Sequence, residues 1–154
     1  MKARIYTDTS VIGGCLDEEF KEASLQLINM FKLGAAVLVV SDLSLLELEA
    51  APAGARAVLE DILETHKESI ELNEEAVELA QHYIDAGVIG AIKRVDAQHI
   101  ALATVRRVDV LVSWNFRHIV NLQRIHGYNS VNLRHGHPLL EIRTPQEVVH
   151  YEEE

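Results

Sequence analysis

Four short runs of apolar residues along the chain have the length and composition of buried strands. They cover residues 3–7, 35–41, 109–113 and 139–143. Short, nearly continuous apolar runs are typical of strands that are covered on both faces, as in parallel sheets. We therefore expect these four segments to lie side by side in the interior.

Between these runs, apolar residues recur every three or four positions, as they do on one face of an amphipathic helix. This spacing predicts helices over residues 18–33, 43–50, 55–67, 74–86 and 96–107. Gly34 is placed to end the first of these helices, and Asn73 to begin the fourth. Thr144 and Glu147 form a capping-box pattern that predicts the start of a last helix.

Strands that alternate with helices predict an α/β fold, here a three-layer α/β/α sandwich around a mostly parallel central sheet. The chain has 154 residues, 48% of them hydrophobic, which is enough for one domain and too few for two. Because no linker rich in Pro, Gly or Ser interrupts it, we expect residues 1–150 to form that single domain. We expect residues 151–154, with the sequence YEEE, to be a frayed acidic tail.

The net charge narrows the possible partners. It is −10, from 14 basic and 24 acidic side chains, which argues against binding of nucleic acid or anionic membranes by bulk electrostatics. A polyanionic substrate would need help from cations. Because only 5% of the residues are aromatic and no tract is rich in Lys or Arg, we also expect no stacking platform like that of single-strand-binding modules.

The cysteine content and the length of the apolar runs indicate the cellular compartment of the protein. Cys15 is the only cysteine, which excludes an internal disulfide and a cysteine-rich zinc site and fits a reducing environment. No apolar run approaches the roughly 18 residues of a membrane span, and the N-terminus lacks the apolar stretch of a signal peptide. We therefore expect a cytoplasmic protein with no membrane partner.

Polar side chains collect where three of the predicted strands end, or on the helices next to them. They are Asp8, Ser10, Ser41, Glu47, Asp96, Ser113 and Asn115. In an open parallel sheet, ligands bind in the crevice beyond the carboxyl ends of the strands. We therefore expect these side chains to meet in one pocket.

Asp8, Glu47 and Asp96 in this set are carboxylates. At an effective dielectric near 20, two carboxylates about 5 Å apart repel by roughly 3 kcal/mol, so three would not gather without a cation or shared protons. Oxygen donors of this kind suit Mg²⁺ or Mn²⁺. The sequence thus predicts a site at which these three side chains hold one of those ions.

Each of these residues also has a purely structural explanation. Asp8 and Asp96 are suitable helix caps. Glu47 lies in an ordinary helical surface sequence, where Glu49 competes for its role. Ser113 and Asn115 are suitable turn residues, which leaves both explanations open for the whole set.

The segments IYTDTSVI, VVSDLSLLELEAAP, DAQHIALATVRRVDVLVSWNFRHIVN and LEIRTPQEV resemble the PIN domain family. Within it they are most similar to the VapC-like toxin ribonucleases. In that family an Asp and two small polar residues follow the first strand, a Glu lies in the helix after the second strand, and an Asp opens a later helix. The matching residues are Asp8, Thr9, Ser10, Glu47 and Asp96.

This resemblance implies a Mg²⁺- or Mn²⁺-dependent endoribonuclease. It implies Asp8, Glu47 and Asp96 as metal ligands and Ser10 and Asn115 as residues that orient bound water. It also implies a small antitoxin protein as partner and a homodimer. Because Asn115 stands where the family commonly has a further Asp, a second metal ion would be held less firmly.

Other residues near the same end of the sheet have two possible roles. Arg94, Arg117 and His118 are candidates to steady the RNA backbone, and ordinary surface charge is the alternative for each. His99 lies three residues after Asp96 on the same helix face. It is a candidate for proton transfer, with a core histidine as the alternative.

Two rival functions remain at this stage. A phosphotransferase of the haloacid dehalogenase type also begins with an Asp at a strand end, but it needs a second acid where this chain has Ser10. A catalytically silent PIN-fold binding or regulatory domain is compatible with the missing fourth acid.

Overall fold

A computed structural model describes the backbone of residues 1–153 and the side chains of residues 1–149. Within it, five strands form one sheet in the order β3-β2-β1-β4-β5. The strands are β1 (Ala3–Thr7), β2 (Ala36–Ser41), β3 (Lys67–Ile70), β4 (Val110–Val112) and β5 (Ile142–Arg143). All four neighbouring pairs are parallel, so every carboxyl end lies at the same edge of the sheet.

Helices connect and cover these strands. They are α1 (Thr9–Gly14), α2 (Lys21–Lys32), α3 (Asp42–Glu49), α4 (Ala53–Glu60), α5 (Glu74–Asp85), α6 (Arg94–Val105), α7 (Leu122–Arg134) and α8 (Pro145–Glu153). Helix α8 includes residues 151–153 of the predicted acidic tail, and Glu154 lies outside the described residues. None of the helices described here is long and apolar enough to cross a membrane.

The two faces of the sheet support separate hydrophobic clusters, because successive side chains of a strand point to opposite faces. Tyr6 and Val39 belong to a cluster with residues of α5, α6 and α7. Ile5 and Leu38 belong to a second cluster with residues of α1, α2, α3, α4 and α8. The predicted three-layer α/β/α sandwich is confirmed.

Three of the predicted helix boundaries are confirmed by their capping geometry. Gly34 adopts a φ of +75° after α2, and the N–H of Ala35 reaches the carbonyl of Met30 at 2.9 Å, which is the Schellman arrangement. The Asn73 side chain accepts from the N–H of Ala76. At α8, Glu147 donates its N–H to Thr144 Oγ1 at 3.2 Å, and its carboxylate accepts from the Thr144 N–H at 3.1 Å.

The predicted helix over residues 55–67 is wrong in its second half, where a short 3₁₀ helix at Glu64–His66 leads into β3. Helix α4 ends at Glu60, and the chain enters the edge strand β3 at Lys67. The sequence of β3, KESI, contributes only Ile70 to the buried core. Its Glu68 is held by Arg4, 64 positions away, through two hydrogen bonds of 2.8 and 2.6 Å. A strand that depends on such distant contacts leaves no clear local pattern.

Helix α7 has no counterpart among the predicted helices. Its sequence, LQRIHGYNSVNLR, is polar, and its buried residues are only Tyr128, Val131 and Asn132. Asn132 accepts a 2.5 Å hydrogen bond from the Tyr83 hydroxyl of α5. Gly127 allows a close approach, because a Cβ there would lie 2.7 Å from Val88. The helix thus packs through a narrow apolar face, to which Tyr128 and Val131 belong, together with a buried polar contact and a glycine.

The strand predicted over residues 139–143 is shorter than expected. Only Ile142–Arg143 pair with β4. The Asn129 side chain binds both the main-chain N–H and the carbonyl of Leu140, at 2.8 and 3.1 Å. These contacts take the place of sheet pairing at the start of the apolar run.

Leu38 in β2, an interior strand of the sheet, provides a test of this packing. Its side chain is fully buried, so Leu38→Ala should lower the free energy of unfolding by about 2–5 kcal/mol in a urea titration. Leu33→Ala is the matched control, because that leucine is 74% exposed, and its effect should stay within about 0.5 kcal/mol. Equal losses in the two variants would contradict the described core.

Candidate active site

Asp8 follows β1 at the edge where the strands' carboxyl ends meet. Its side chain is only 5% exposed and makes no capping hydrogen bond to α1. Instead, Ser10 Oγ donates to Oδ1 at 2.5 Å, and Ser113 Oγ donates to Oδ2 at 2.7 Å. Asp8 thus occupies the N-cap position of α1, as the structural explanation expects, but its carboxylate does not cap the helix, and both of its oxygens are oriented by hydroxyl groups.

The surroundings of Asp8 shift its pKa upward. Burial is the main cause, and the negative charge of Asp96 acts in the same direction. The hydrogen bonds from Ser10 and Ser113 and the influence of His99 oppose this shift without cancelling it. In the absence of a cation, the ionised carboxylate is thus costly in this position.

The segment after β4 connects Asp8 to Asp96. The N–H of Asn115 donates to Ser113 Oγ at 2.9 Å, and Asn115 Nδ2 lies 3.4 Å from Asp96 Oδ2. Asn115 Oδ1 accepts from the N–H of His118. The turn explanation of Ser113 and Asn115 is therefore correct locally, but the same side chains also contact the two carboxylates.

Asp96 is the third residue of α6 rather than its cap, since the helix begins at Arg94 and the capping position is Lys93. A carboxylate in the first turn of a helix is favoured by the helix dipole. The side chain of Asp96 is partly exposed. Together with its influence on Asp8, this places a second acid in the crevice.

Glu47 of α3 belongs to a second hydrogen-bonded group. Its Oε1 lies 2.6 Å from His99 Nε2, and His99 Nδ1 lies 2.5 Å from the Tyr6 hydroxyl. Tyr6 in turn contacts Ser41 Oγ at 2.7 Å. Glu47 and the competing acid Glu49 are both exposed, and it is Glu47 that contacts His99.

The protons on the His99 ring set the direction of these hydrogen bonds. An ionised Glu47 only accepts, so Nε2 of His99 donates to it, and Nδ1 accepts from the Tyr6 hydroxyl in the neutral ring or donates to it in the protonated ring. His99 and Tyr6 are buried, so this chain satisfies polar atoms that would otherwise be costly to bury. The core-histidine explanation of His99 is borne out by this geometry.

The structure thus arranges the predicted residues in two adjoining groups. Asp8, Ser10, Ser113, Asn115 and Asp96 form the first; Glu47 is in the second with His99 and Tyr6. Asp8 lies two residues after Tyr6, just past the end of β1 and still in an extended conformation, which directs the two side chains to the same side of the sheet. Among the residues that the structure describes, no group of three or more His, Cys, Asp or Glu side chains is close enough to hold a metal ion. Glu47 is engaged with His99 instead of completing a three-carboxylate cage.

The chemistry of the donors nevertheless fits a hard divalent cation. Asp8 and Asp96 offer carboxylate oxygens, and Mg²⁺ is usually bound by one or two carboxylates, with waters and substrate phosphates completing the shell. The raised pKa of Asp8 has the same implication, because a nearby cation would favour its charged form. Two of the three predicted ligands therefore meet the requirement in number and type.

Sequence reasoning missed two residues that shape this site. Tyr6 orients His99, and the main-chain N–H of Trp114 donates to Ser10 Oγ at 2.9 Å. The sequence does show Tyr6 as a hydroxyl-bearing residue in β1, two positions before Asp8. Trp114 left a weaker signal, because its contribution is made by the backbone.

Comparison of the sequence with models of known protein families and with curated proteins finds no match. Comparison of the fold does find similar proteins. DNA-bound VapBC from Salmonella typhimurium matches with a TM-score of 0.55 and 17% identity, over 93% of this chain and 98% of that chain. This chain has the PIN-domain fold of the VapC type. A further similar structure, VapC20 of Mycobacterium tuberculosis, a toxin that cleaves the sarcin-ricin loop, has a TM-score of 0.46 and 16% identity over 71% of this chain and 87% of that chain.

The PIN fold confirms the resemblance found in the sequence at the level of architecture. The first of these matches covers 93% of this chain and 98% of that chain, so the likeness extends over nearly the whole fold. Asp8 and Ser113 follow neighbouring strands of that sheet, β1 and β4. The crevice described above therefore lies where the PIN fold brings its central strands to an end.

The raised pKa of Asp8 predicts a stability change for Asp8→Asn. A raised pKa means that the folded state binds the proton more tightly than the unfolded state, so stability falls as the pH rises above the unfolded value of about 3.9. In a buffer with EDTA, Asp8→Asn should therefore raise the urea midpoint at pH 8, and its advantage should shrink as the pH falls. The reason is that Asn removes the buried charge while keeping a polar group for Ser10 and Ser113.

Asp61→Asn serves as the control for this measurement. Its side chain is 69% exposed and lies 3.8 Å from Lys32, so its effect on the midpoint should be small at every pH. A wild-type protein at least as stable as Asp8→Asn at pH 8 would show that burial does not strain this carboxylate.

Proposed function

We propose that this chain is a metal-dependent endoribonuclease that hydrolyses RNA phosphodiester bonds, and that it is the toxin of a toxin-antitoxin pair. The observation that carries the proposal is the state of Asp8. This carboxylate is buried, has no capping role and is oriented by two serines next to a second acid. Such an arrangement costs stability, and a function that requires a cation explains why it is present.

The proposed ion is Mg²⁺ or Mn²⁺, held by Asp8 and Asp96. When bound, such an ion activates water and neutralises charge that develops on a phosphate. Ser10 and Ser113 fix the orientation of the Asp8 carboxylate, and Asn115 holds Asp96 at the other side of the crevice. Glu47 is the third proposed ligand, and metal binding there would compete with its hydrogen bond to His99.

Local positive charge supports an RNA substrate despite the net charge of −10. Desolvation is the main reason why the pKa of His118 is lowered. Nearby positive charges lower it further, and they belong to Arg124, Lys93 and Arg117. Asp96 acts on the same histidine in the opposite sense. The acidic crevice thus has basic neighbours on one side, and these would attract the RNA backbone.

Cleavage of a labelled RNA in the presence of Mn²⁺ tests this proposal. Loss of a residue that only hydrogen-bonds to a metal ligand typically lowers activity about 10- to 100-fold. Loss of a direct ligand in Asp8→Asn should therefore reduce the cleavage rate at least about 100-fold. Removal of the ion with EDTA should abolish cleavage by the wild type, and added Mn²⁺ should restore it.

Asp61→Asn is the matched control and should cleave at the wild-type rate. Equal activity of wild type and Asp8→Asn, independent of metal, would overturn the mechanism. No cleavage by the wild type of any RNA offered, with Mn²⁺ present, would favour the catalytically silent PIN-fold domain.

The proposed partner is a small antitoxin protein. The similar structure from Salmonella typhimurium is a VapBC complex bound to DNA, and we extend only the presence of a protein partner to this chain. A segment with an Arg or Lys would neutralise the carboxylates of the crevice through charge-assisted hydrogen bonds. The homodimer implied by the sequence resemblance stays a prediction.

Expression in a bacterial host tests the toxin proposal. The wild-type chain should arrest growth, and Asp8→Asn should not, because the variant lacks the ligand needed for RNA cleavage. Co-expression of a short reading frame adjacent to this gene should restore growth. Arrest by both forms, with equal protein levels, would show that toxicity does not depend on the proposed site.

A further inference from the structure

Three aromatic side chains cluster beside the candidate active site. The rings of Phe20 and Trp114 stack with centroids 4.5 Å apart and planes 28° apart. The Phe116 ring lies 6.1 Å from Trp114 and 6.4 Å from Phe20. The chain has only one Trp and three Phe, so most of these residues are gathered here. The expectation from composition, that no stacking platform exists, did not anticipate this cluster.

The hydrogen bonds of Trp114 couple the cluster to the active site. Its main-chain N–H donates to Ser10 Oγ, the same hydroxyl that binds Asp8, and its indole Nε1 donates to Ser24 Oγ at 2.8 Å. Gly14 lies against the indole, since a Cβ there would be 3.0 Å from Nε1 and 2.6 Å from Ser24 Oγ. The cluster is therefore a positioned surface rather than a loose group of side chains.

The residues of the 113–116 segment alternate in what they contact. Ser113 and Asn115 bind the carboxylates of the crevice, whereas Trp114 and Phe116 belong to the aromatic cluster. Phe116 is 51% exposed, so a large part of its ring faces solvent within one residue of Asn115. An exposed aromatic ring on a well-anchored segment contributes little to the core and is suited to contact a partner.

The charges around the aromatic cluster indicate which part of a nucleic acid the cluster would contact. A groove of about 470 Å³ beside Phe20 and Trp114 is also lined by Glu19 and Glu22, which would repel phosphates. The basic residues near His118 were described above as the side that attracts the backbone. A strand crossing the crevice would therefore place its phosphates toward those residues and a base toward the aromatic rings.

We propose that Phe116, supported by Trp114 and Phe20, stacks on a base of the RNA strand adjacent to the phosphate at the Asp8 site. This inference rests on the proposed RNA substrate. Stacking of bases on aromatic rings tolerates any base, because every base has a π-face. Phe116 is thus a positioning residue that aligns the strand without dictating its sequence.

The single Trp makes binding measurable without cleavage. In EDTA, a short single-stranded RNA should quench the fluorescence of Trp114 in a saturable manner. Phe116→Leu keeps an apolar side chain but removes the ring. It should raise the dissociation constant about 5- to 150-fold, as expected for the loss of one stacked base. Phe116→Tyr should bind like the wild type, and Leu133→Ala, at an exposed leucine of α7, should have no effect.

The kinetic counterpart separates this inference from the proposed function. With Mn²⁺, Phe116→Leu should raise the KM for RNA cleavage, whereas Phe116→Tyr should have the KM of the wild type. Cleavage that is lost in Asp8→Asn but unchanged in Phe116→Leu would overturn the stacking proposal and support the nuclease proposal. Quenching that depends on Phe116, with no cleavage of RNA, would support the stacking proposal and refute the nuclease proposal. Absence of quenching at saturating RNA would overturn the stacking and favour an apolar peptide as the occupant.

Discussion

The ionisation of one buried carboxylate, Asp8, is the constraint on which the site depends. Its two oxygens accept from Ser10 and Ser113, and those hydroxyls are anchored in turn by the N–H groups of Trp114 and Asn115. Each hydrogen bond favours the charged form, but burial and Asp96 outweigh them. The local structure therefore holds an acid in a position where a proton or a nearby cation would be stabilising.

The parallel sheet is what allows these groups to meet. Asp8 and Ser113 follow neighbouring strands, and they are 105 positions apart in the chain. Glu47 and His99 approach from α3 and α6 on either side, and Tyr6 connects them to β1. Since the contributions come from β1, α3, α6 and the segment after β4, the site requires the complete fold and has no local substitute.

The strongest local patterns predicted the fold well. Strands β1 and β2 and helices α5 and α6 have dense apolar patterns, and their predicted bounds agree with the structure to within two residues. The errors fall on β3, α7 and the start of β5, where charged pairs, side-chain amides and a close-packed glycine supply much of the packing. Such contacts depend on partners that are remote in sequence, so the local pattern contains little information about them.

The residue types and their order by themselves determined the fold class, the edge of the sheet to inspect and the candidate acids. A hydrophobic run ends on Asp8 whatever its neighbours are, and that is visible in one dimension. Only the tertiary structure decided that the Asp8 side chain does not cap a helix, that Glu47 pairs with His99, and that Trp114 and Phe116 form a surface beside the crevice. The physical reason is that hydrogen bonding, desolvation and stacking depend on distances between atoms, and those distances are set only when the separate elements pack together.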